Sequence, residues 1–523
     1  MTSSTQNLEK TSEHQEERAL GTLDPIETFK KLSKLDKPWF LTPHLVKLNF
    51  LLLSGILSQA TCGFDGSLLN GLQSLPQWQS FFNHPTGAHL SAVAMGSVYG
   101  TLAAMFVAPW TCEKLGRRYP ITLGSIIVIL SVVLQTAAQN YAMFTIARLL
   151  LGFGLGLVQV CSPLLISETA YPTHRAKMTA IWDSTYSLGA IIASWVTYGT
   201  LHINGSWSWR IPSVIQAAPS IVQLVLSLLV PESPRWLVDR GRADEALEIL
   251  AKYHGGGDRE DELVHFEMTE ITATIELEKL HGTASWKEWI ATQGNIKRLE
   301  RITLLSFAVQ LCGNGTTSYY LTILLDTIGI TSSKTQLVIN GCIWIVAFVS
   351  QITCAMTIDR FGRRGLLIFS FSSMLVAFVI WTILAALAQE QQFKDKGLAQ
   401  GVVAMIFIFM SGYCFAAPTV PTYIMEISTY SLRSKASTLY QFYGNIAGVF
   451  NSFVTPIAME NISWRYYIIC AVLIALWLVL TVLYIPETKG RSLEEVSILF
   501  DGPDAIQENN AAVFSIERKA DLN

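Results

Sequence analysis

Two ionisable residues stand where apolar surroundings leave them little water: Asp65 follows the first apolar block and Arg148 opens the fourth. A charge inside hydrocarbon costs about 2.5 to 3.5 kcal/mol on insertion scales, so both are expected to face the interior and pair. A second set of charges marks segment ends and recurs. Glu113-Lys-Leu-Gly-Arg117-Arg118 is matched by Asp359-Arg-Phe-Gly-Arg363-Arg364, Glu168 with Arg175 by Glu426 with Arg433, and Pro231-Glu232 by Pro486-Glu487. Gly63-Phe-Asp65-Gly66 has its counterpart in Gly313-Asn314-Gly315. An ordered set of four landmarks repeated at an offset of roughly 250 residues points to two duplicated bundles. Arginines at such ends either anchor topology at headgroups or pair with nearby carboxylates. Ion pairs made in only one of two conformers bias the balance between them.

A third set consists of polar and aromatic groups inside apolar stretches: Gln159, Asp183, Gln310, Asn314, Tyr319, Tyr320, Asn445 and Asn451. Helix periodicity can bring them to a cavity at the bilayer midplane, where amides and a carboxylate would hydrogen-bond a hydroxyl-rich solute and a ring would pack on its apolar face. Each one alone reads equally as a residue that bonds neighbouring membrane helices. No nucleophile–base–acid set, metal spacing or phosphate loop is present, so the sequence predicts neither an enzyme nor a cofactor.

The elements that must position these groups follow from composition. Half of the 523 residues are apolar and 15% are charged, against about a quarter charged in soluble domains. The apolar residues fall in blocks of roughly 20, the length a helix needs to cross about 30 Å of hydrocarbon. The spacing predicts spans near 48–70, 90–110, 120–139, 141–163, 177–199, 211–230, 302–325, 336–357, 365–388, 400–424, 436–456 and 466–485. Between them, residues 232–300 are charged and amphipathic, a linker of short helices at the membrane face. The divisions are a polar tail 1–45, a first six-helix bundle 46–231, the linker, a second bundle 301–486 and a tail 487–523. Net charge is −3 and no basic patch invites nucleic acid. The eight cysteines, Cys62, Cys112, Cys161, Cys312, Cys342, Cys354, Cys414 and Cys470, lie in or beside apolar blocks and read as small core residues. The polar start contains no cleavable signal, so the first span is expected to direct insertion.

Lys and Arg collect in alternate loops, which places both tails and the linker in the cytoplasm. Sequons at Asn204 and Asn461 then fall in outside loops and are candidate glycosylation sites.

Pro231-Glu-Ser-Pro-Arg235-Trp-Leu237, Pro486-Glu-Thr-Lys-Gly490 and Ser492-Leu-Glu-Glu495 resemble the sugar porter family of the major facilitator superfamily. Gln310-Leu-Cys-Gly-Asn-Gly315, Ser318-Tyr-Tyr320 and Phe450-Asn451-Ser-Phe-Val-Thr-Pro456 look like its fungal lactose permease and disaccharide transporter branch. The resemblance implies an all-α membrane protein with the major facilitator fold, about twelve transmembrane helices in two pseudo-symmetric six-helix bundles. It also implies a monomer in the plasma membrane, moving a sugar by alternating access. Glu113, Arg117, Arg118, Glu168, Arg175, Glu232, Arg235, Asp359, Arg363, Arg364, Glu426, Arg433 and Glu487 would form the cytoplasmic gate network. Asp65 and Arg148 would interact, and protonating the acid would release the base, which makes proton-coupled import the preferred mechanism. Under a uniport reading Asp65 merely caps a broken helix. Export of another polar metabolite, or sugar sensing without transport, are the alternatives. This chain departs from hexose-carrying relatives at Asp183, Gly315 and Pro421, where they show Gln, Asn and Trp. Those departures put plain glucose transport in doubt and allow a larger or differently charged solute.

Overall fold

The computed structural model describes residues 38–281, 286–318, 320–391, 396–429, 432–489, 496 and 499–501. Among these residues the regular elements are helices. The first part of the chain forms α1 (Pro43–Gln73), α2 (Pro76–Phe81), α3 (Gly87–Leu115), α4 (Arg118–Thr136), α5 (Tyr141–Thr169), α6 (Arg175–Thr200), α7 (Trp207–Ile215) and α8 (Ala217–Ser227). The linker holds α9 (Pro234–Asp239), α10 (Ala243–Tyr253) and α11 (Glu262–His281). The second part forms α12 (Gln293–Gln310), α13 (Asn314–Ser318), α14 (Leu321–Thr327), α15 (Ser333–Phe361), α16 (Arg363–Glu390), α17 (Lys396–Ile427), α18 (Arg433–Ile462) and α19 (Arg465–Tyr484).

Among the described residues eight helices, α1, α3, α4, α5, α15, α16, α17 and α19, are long and apolar enough to cross a membrane. The other four crossings are interrupted or more polar. The sixth is split into α7 and α8 because Pro219, lacking an N–H, cannot bond the Ile215 carbonyl one turn back. The seventh is split into α12, α13 and α14, with Gly313 at φ 87° between the first two. The α6 and α18 crossings are continuous but carry the polar residues discussed below.

Within the first part α1 packs on α5, α6 and α8, α3 on α5, and α4 on α5 and α8; within the second, α16 packs on α17 and α19, and α12 on α17 and α18. The two parts meet mainly where α6 lies along α15 and α3 along α18. Contact between α1 and α6 is backbone to backbone: a Cβ on Gly189 would fall 1.9 Å from the Ala60 carbonyl oxygen. Small residues at such crossings are what lets membrane helices approach closely.

Three expectations are corrected. Cys112 and Cys161 form a disulfide, joined because α3 packs along α5; the other six cysteines are free thiols. Their separation of 49 residues gave no hint of this. Asn461 belongs to the last turn of α18, where its Nδ2 donates to the Ile457 carbonyl at 2.7 Å, whereas Asn204 is exposed in the turn before α7. Helix α12 begins at Gln293, inside the expected linker, because the Thr292 hydroxyl caps it by accepting from the Asn295 N–H at 3.2 Å.

Candidate functional site: a buried ion pair, a polar cleft and two facing clusters

Asp65 and Arg148 are both buried and form an ion pair between α1 and α5. The same Asp65 Oδ1 accepts from the Gln216 side chain at 2.8 Å. Gln216 sits at the break between α7 and α8, where the interrupted helix turns an amide inward. Its own Oε1 accepts from Gln135 at 3.4 Å, which extends the network to α4. Arg148 also donates to the Val93 carbonyl at 3.3 Å and to the Ser97 hydroxyl at 3.2 Å on α3. One carboxylate thus ties α1 to α5 and α8. Gln216 and Gln135 were not picked out from sequence, since nothing marks an amide in an apolar helix as belonging to a charge pair elsewhere.

The expected solute residues divide. On the second part, Asn314 donates to the Tyr413 hydroxyl at 3.0 Å and accepts from Ser318 at 2.6 Å. Asn451 donates to the Gln310 carbonyl at 3.0 Å and accepts from Thr455 at 3.1 Å. Gly315 makes room for it: a Cβ there would lie 2.6 Å from Asn451 Nδ2. The Gln310 side chain lies beside Gly444, so α12, α13, α17 and α18 converge on one polar cluster. On the first part, Gln159 donates to the Gln59 side chain at 3.2 Å and to the Cys62 sulfur at 3.0 Å. Asp183 on α6 is exposed at its own surface. One turn further along α6, Tyr186 packs against Trp344 and Ser187 bonds Gln351 of α15, so this face of α6, with Asp183 on it, is turned to the other part rather than to lipid. Asn445 is half-buried on α18, donating to Gln441 at 2.8 Å and toward the Met105 sulfur of α3. Tyr320 does not join the cleft: it is fully buried, and its hydroxyl donates to the Ser452 carbonyl at 2.8 Å. A ring at the start of α14 is taken up in sealing the end of the bundle. Tyr319 lies outside the described residues.

At the face that carries the linker, two clusters repeat atom for atom. Glu232 accepts from the Arg117 and Arg118 backbone N–H groups at 2.8 and 3.2 Å. Glu487 accepts from Arg363 and Arg364 at 3.0 and 3.1 Å. Each carboxylate sits on a helix N-terminus, where unpaired N–H groups and the dipole favour an anion. Each also explains the preceding glycine: Gly116 and Gly362 have φ of 92° and 81°, and a Cβ would fall 2.3 and 2.6 Å from the carboxylate. Burial pushes the Glu232 carboxyl upward from its ordinary range, and the N–H groups of Ser233, Arg117 and Arg118 pull it back in part. Arg117 pairs with Glu168 at 2.9 Å and Arg363 with Glu426 at 2.8 Å, while the Ser233 and Thr488 hydroxyls donate to those same acids. Arg118 and Arg364 spend their guanidinium groups on the carbonyls of Ser227 and Val482 at 2.9 and 2.8 Å.

Two gate candidates take other partners than expected. Arg175 pairs with Glu267 of α11 at 2.7 Å, an acid that the sequence reading did not single out. Glu267 is buried and also meets His254, so this contact docks the linker on the first part of the chain. The Glu113 side chain is exposed; its backbone carbonyl accepts from Trp236 at 2.7 Å and from Arg240 at 2.6 Å. The Asp359 side chain lies outside the described residues. Arg235 opens α9 beside the Ser233 cap, and Arg433 opens α18.

The opposite face is closed by direct bonds between the two parts. Asn70 Nδ2 donates to the Ser318 carbonyl at 2.7 Å, and Ser74 and Thr322 share a hydrogen bond of 2.8 Å. Asn340 reaches both Ser67 and Ser194, at 3.1 and 3.0 Å, and Ser187 bonds Gln351 at 2.8 Å. Outside this seal lies a vestibule of about 500 Å³ lined by Gln73, Gln79, Asp326, Gln336 and Glu460 among others.

The family described as "Sugar (and other) transporter" matches residues 52–500. The chain is 32% identical to Hexose transporter 2 of Kluyveromyces lactis, over 74% of this chain and 70% of that one. It is 25% identical to a high-affinity glucose transporter of the same yeast, over 87% and 85%. It is 28% identical to the MFS-type transporter oryC of Aspergillus oryzae, over 79% and 78%. In fold it is similar to the xylose transporter XylE from E. coli in a partially occluded inward open conformation. There the TM-score is 0.69 at 20% identity, covering 85% of this chain and 99% of that one.

Proposed function

The chain belongs to the sugar (and other) transporter family, and from that premise we propose that it imports a sugar, a hexose or disaccharide, coupled to protons. It is an integral, multi-pass membrane carrier. On this reading it sits in the plasma membrane as a monomer with both ends cytoplasmic, and its bundles 46–231 and 301–486 rock about the cleft while 232–300 stays on the cytoplasmic face.

The observation that carries proton coupling is Asp65, bonded by both Arg148 and Gln216. A neutral Asp65 no longer holds the guanidinium. Arg148 then keeps its partners on α3, the Val93 carbonyl and Ser97 hydroxyl, while α1 is released from α5. Since α1 also carries Asn70 and Ser74 of the seal, a proton at Asp65 acts on the helix that closes the far face. The solute lies between Gln159 and Asp183 on one side and Gln310, Asn314, Asn451 and Asn445 on the other, where closing either face brings the two sets together. The linker-face clusters are proposed to bias the two access states. A second reading, a carrier for another polar metabolite, is favoured by Asp183, Gly315 and Pro421, and the MFS-type relative is in keeping with it. The test is uptake of labelled glucose, galactose, lactose, cellobiose, a sugar acid and a polyol in transporter-deficient cells, with and without a protonophore. Saturable uptake of one sugar that collapses with the protonophore is expected. No uptake of any, with surface expression confirmed, moves the assignment to the metabolite carrier.

A further inference from the structure

Among the described residues, three of the Asp, Glu, Lys and Arg type lie well inside the apolar helices: Asp65, Arg148 and Asp183. Arg298 and Arg301 of α12 lie nearer the linker face, bonded to Asp501 and to the carbonyl of Tyr484, the last residue of α19. Asp65 and Arg148 neutralise one another. Asp183 is eight residues into α6, about 12 Å from its start at 1.5 Å per residue. Among the described residues no side chain forms a hydrogen bond or ion pair with its carboxylate. Helix α15 of the other part runs along α6. One turn beyond Asp183 on α6 are Tyr186, whose ring packs at a tilt against Trp344 of α15, and Ser187, which bonds Gln351 of α15. None of these supplies a positive charge.

Asp183 is exposed, which lowers the cost of an uncompensated carboxylate at this depth, and it gives the crevice a negative charge with no counter-charge among the described residues. We propose that Asp183 is the charge-selectivity residue of the cleft, admitting neutral sugars and those bearing a protonated amine while rejecting anionic ones. This rests on the sugar-carrier reading above. Coulomb repulsion in a narrow, partly desolvated cleft is worth far more than in bulk water, so a uronate meets a barrier that an amino sugar does not. The carboxylate also accepts hydrogen bonds from hydroxyl groups and donates none, which orients a neutral sugar with its O–H groups toward α6.

The experiment is titration of the purified full-length protein with glucose, glucosamine and glucuronate, followed by intrinsic tryptophan fluorescence at neutral pH, where the carboxylates are ionised and much of the amine is protonated. Wild type is expected to bind glucosamine at least about tenfold more tightly than glucuronate. In Asp183→Asn that ratio is expected to fall to within about threefold, and in Asp183→Glu to stay near wild type. An unchanged ratio in Asp183→Asn, or wild type binding glucuronate as well as glucosamine, overturns the assignment while leaving the sugar reading intact. Binding of none of the three by wild type overturns the hexose reading and this inference with it.

Discussion

Asp65 shares one oxygen between a guanidinium and an amide, and that sharing makes a single proton consequential. Replacing it by Asn removes the charge while keeping a side chain of similar size, so Arg148 is left with carbonyl and hydroxyl partners only. Asp65→Asn is expected to abolish accumulation of sugar against its gradient while leaving exchange measurable. Uptake and counterflow in proteoliposomes with an imposed pH gradient provide the check, and full uphill uptake by the variant would count against proton coupling at this residue. The pair itself could be anticipated from the cost of isolated charges in hydrocarbon. Its third member could not, because Gln216 meets Asp65 across 151 residues of chain and only where Pro219 has opened the helix.

At the scale of elements, the turns between α3 and α4 and between α15 and α16 show why the repeated Gly-Arg-Arg string takes that form. The chain must reverse with φ near 90°, a carboxylate from a distant segment must reach the new helix N-terminus, and only a residue without Cβ leaves space for both. Gly116→Ala is expected to destabilise the protein by about 1 to 3 kcal/mol from backbone strain, with the clash against Glu232 adding to it. Thermal unfolding of the purified protein tests this, with Gly199→Ala as the control, since a Cβ there meets nothing within 4 Å. Equal midpoints for the two variants would contradict the steric account. The repeat was legible in sequence, as were the carboxylates of Glu232 and Glu487. The hydroxyls of Ser233 and Thr488 that complete each cluster were not, because a serine beside a proline reads first as a helix cap, and Ser233 serves as one as well.

For the molecule as a whole, closure of the far face rests on a few hydrogen bonds between the two parts, those from α1 to the α13–α14 segment among them. A hydrogen bond contributes about 0.5 to 1.5 kcal/mol net, enough to change a two-state ratio several-fold. Asn70→Ala removes a 2.7 Å bond to Ser318 and a weaker one to the Leu321 N–H, and is expected to shift the population toward opening on that face. Native Cys62, a free thiol beyond the seal, is the reporter. Its modification by a membrane-impermeant maleimide added from the far side, located by peptide mass, is expected to quicken several-fold. An unchanged rate would mean that other contacts hold the face closed.

The sequence by itself determined the solvent, the number of crossings, the duplication and the family resemblance, because block length, charge scarcity and recurring strings are local properties that survive without coordinates. It also singled out Asn314, Asn451 and Gln310 as groups that helix periodicity could bring to one cavity, since they are amides inside apolar runs. Tertiary structure alone decided which partner each polar group takes. Tyr320 went to the seal rather than the cleft, Arg175 to Glu267 of the linker rather than to the gate acids, and Cys112 to Cys161. Partner choice depends on helix rotation and crossing depth, and a shift of one residue around a helix turns a side chain by about 100°. The same rotation left Asp183 facing the opposing bundle, with no cation bonded to it among the described residues.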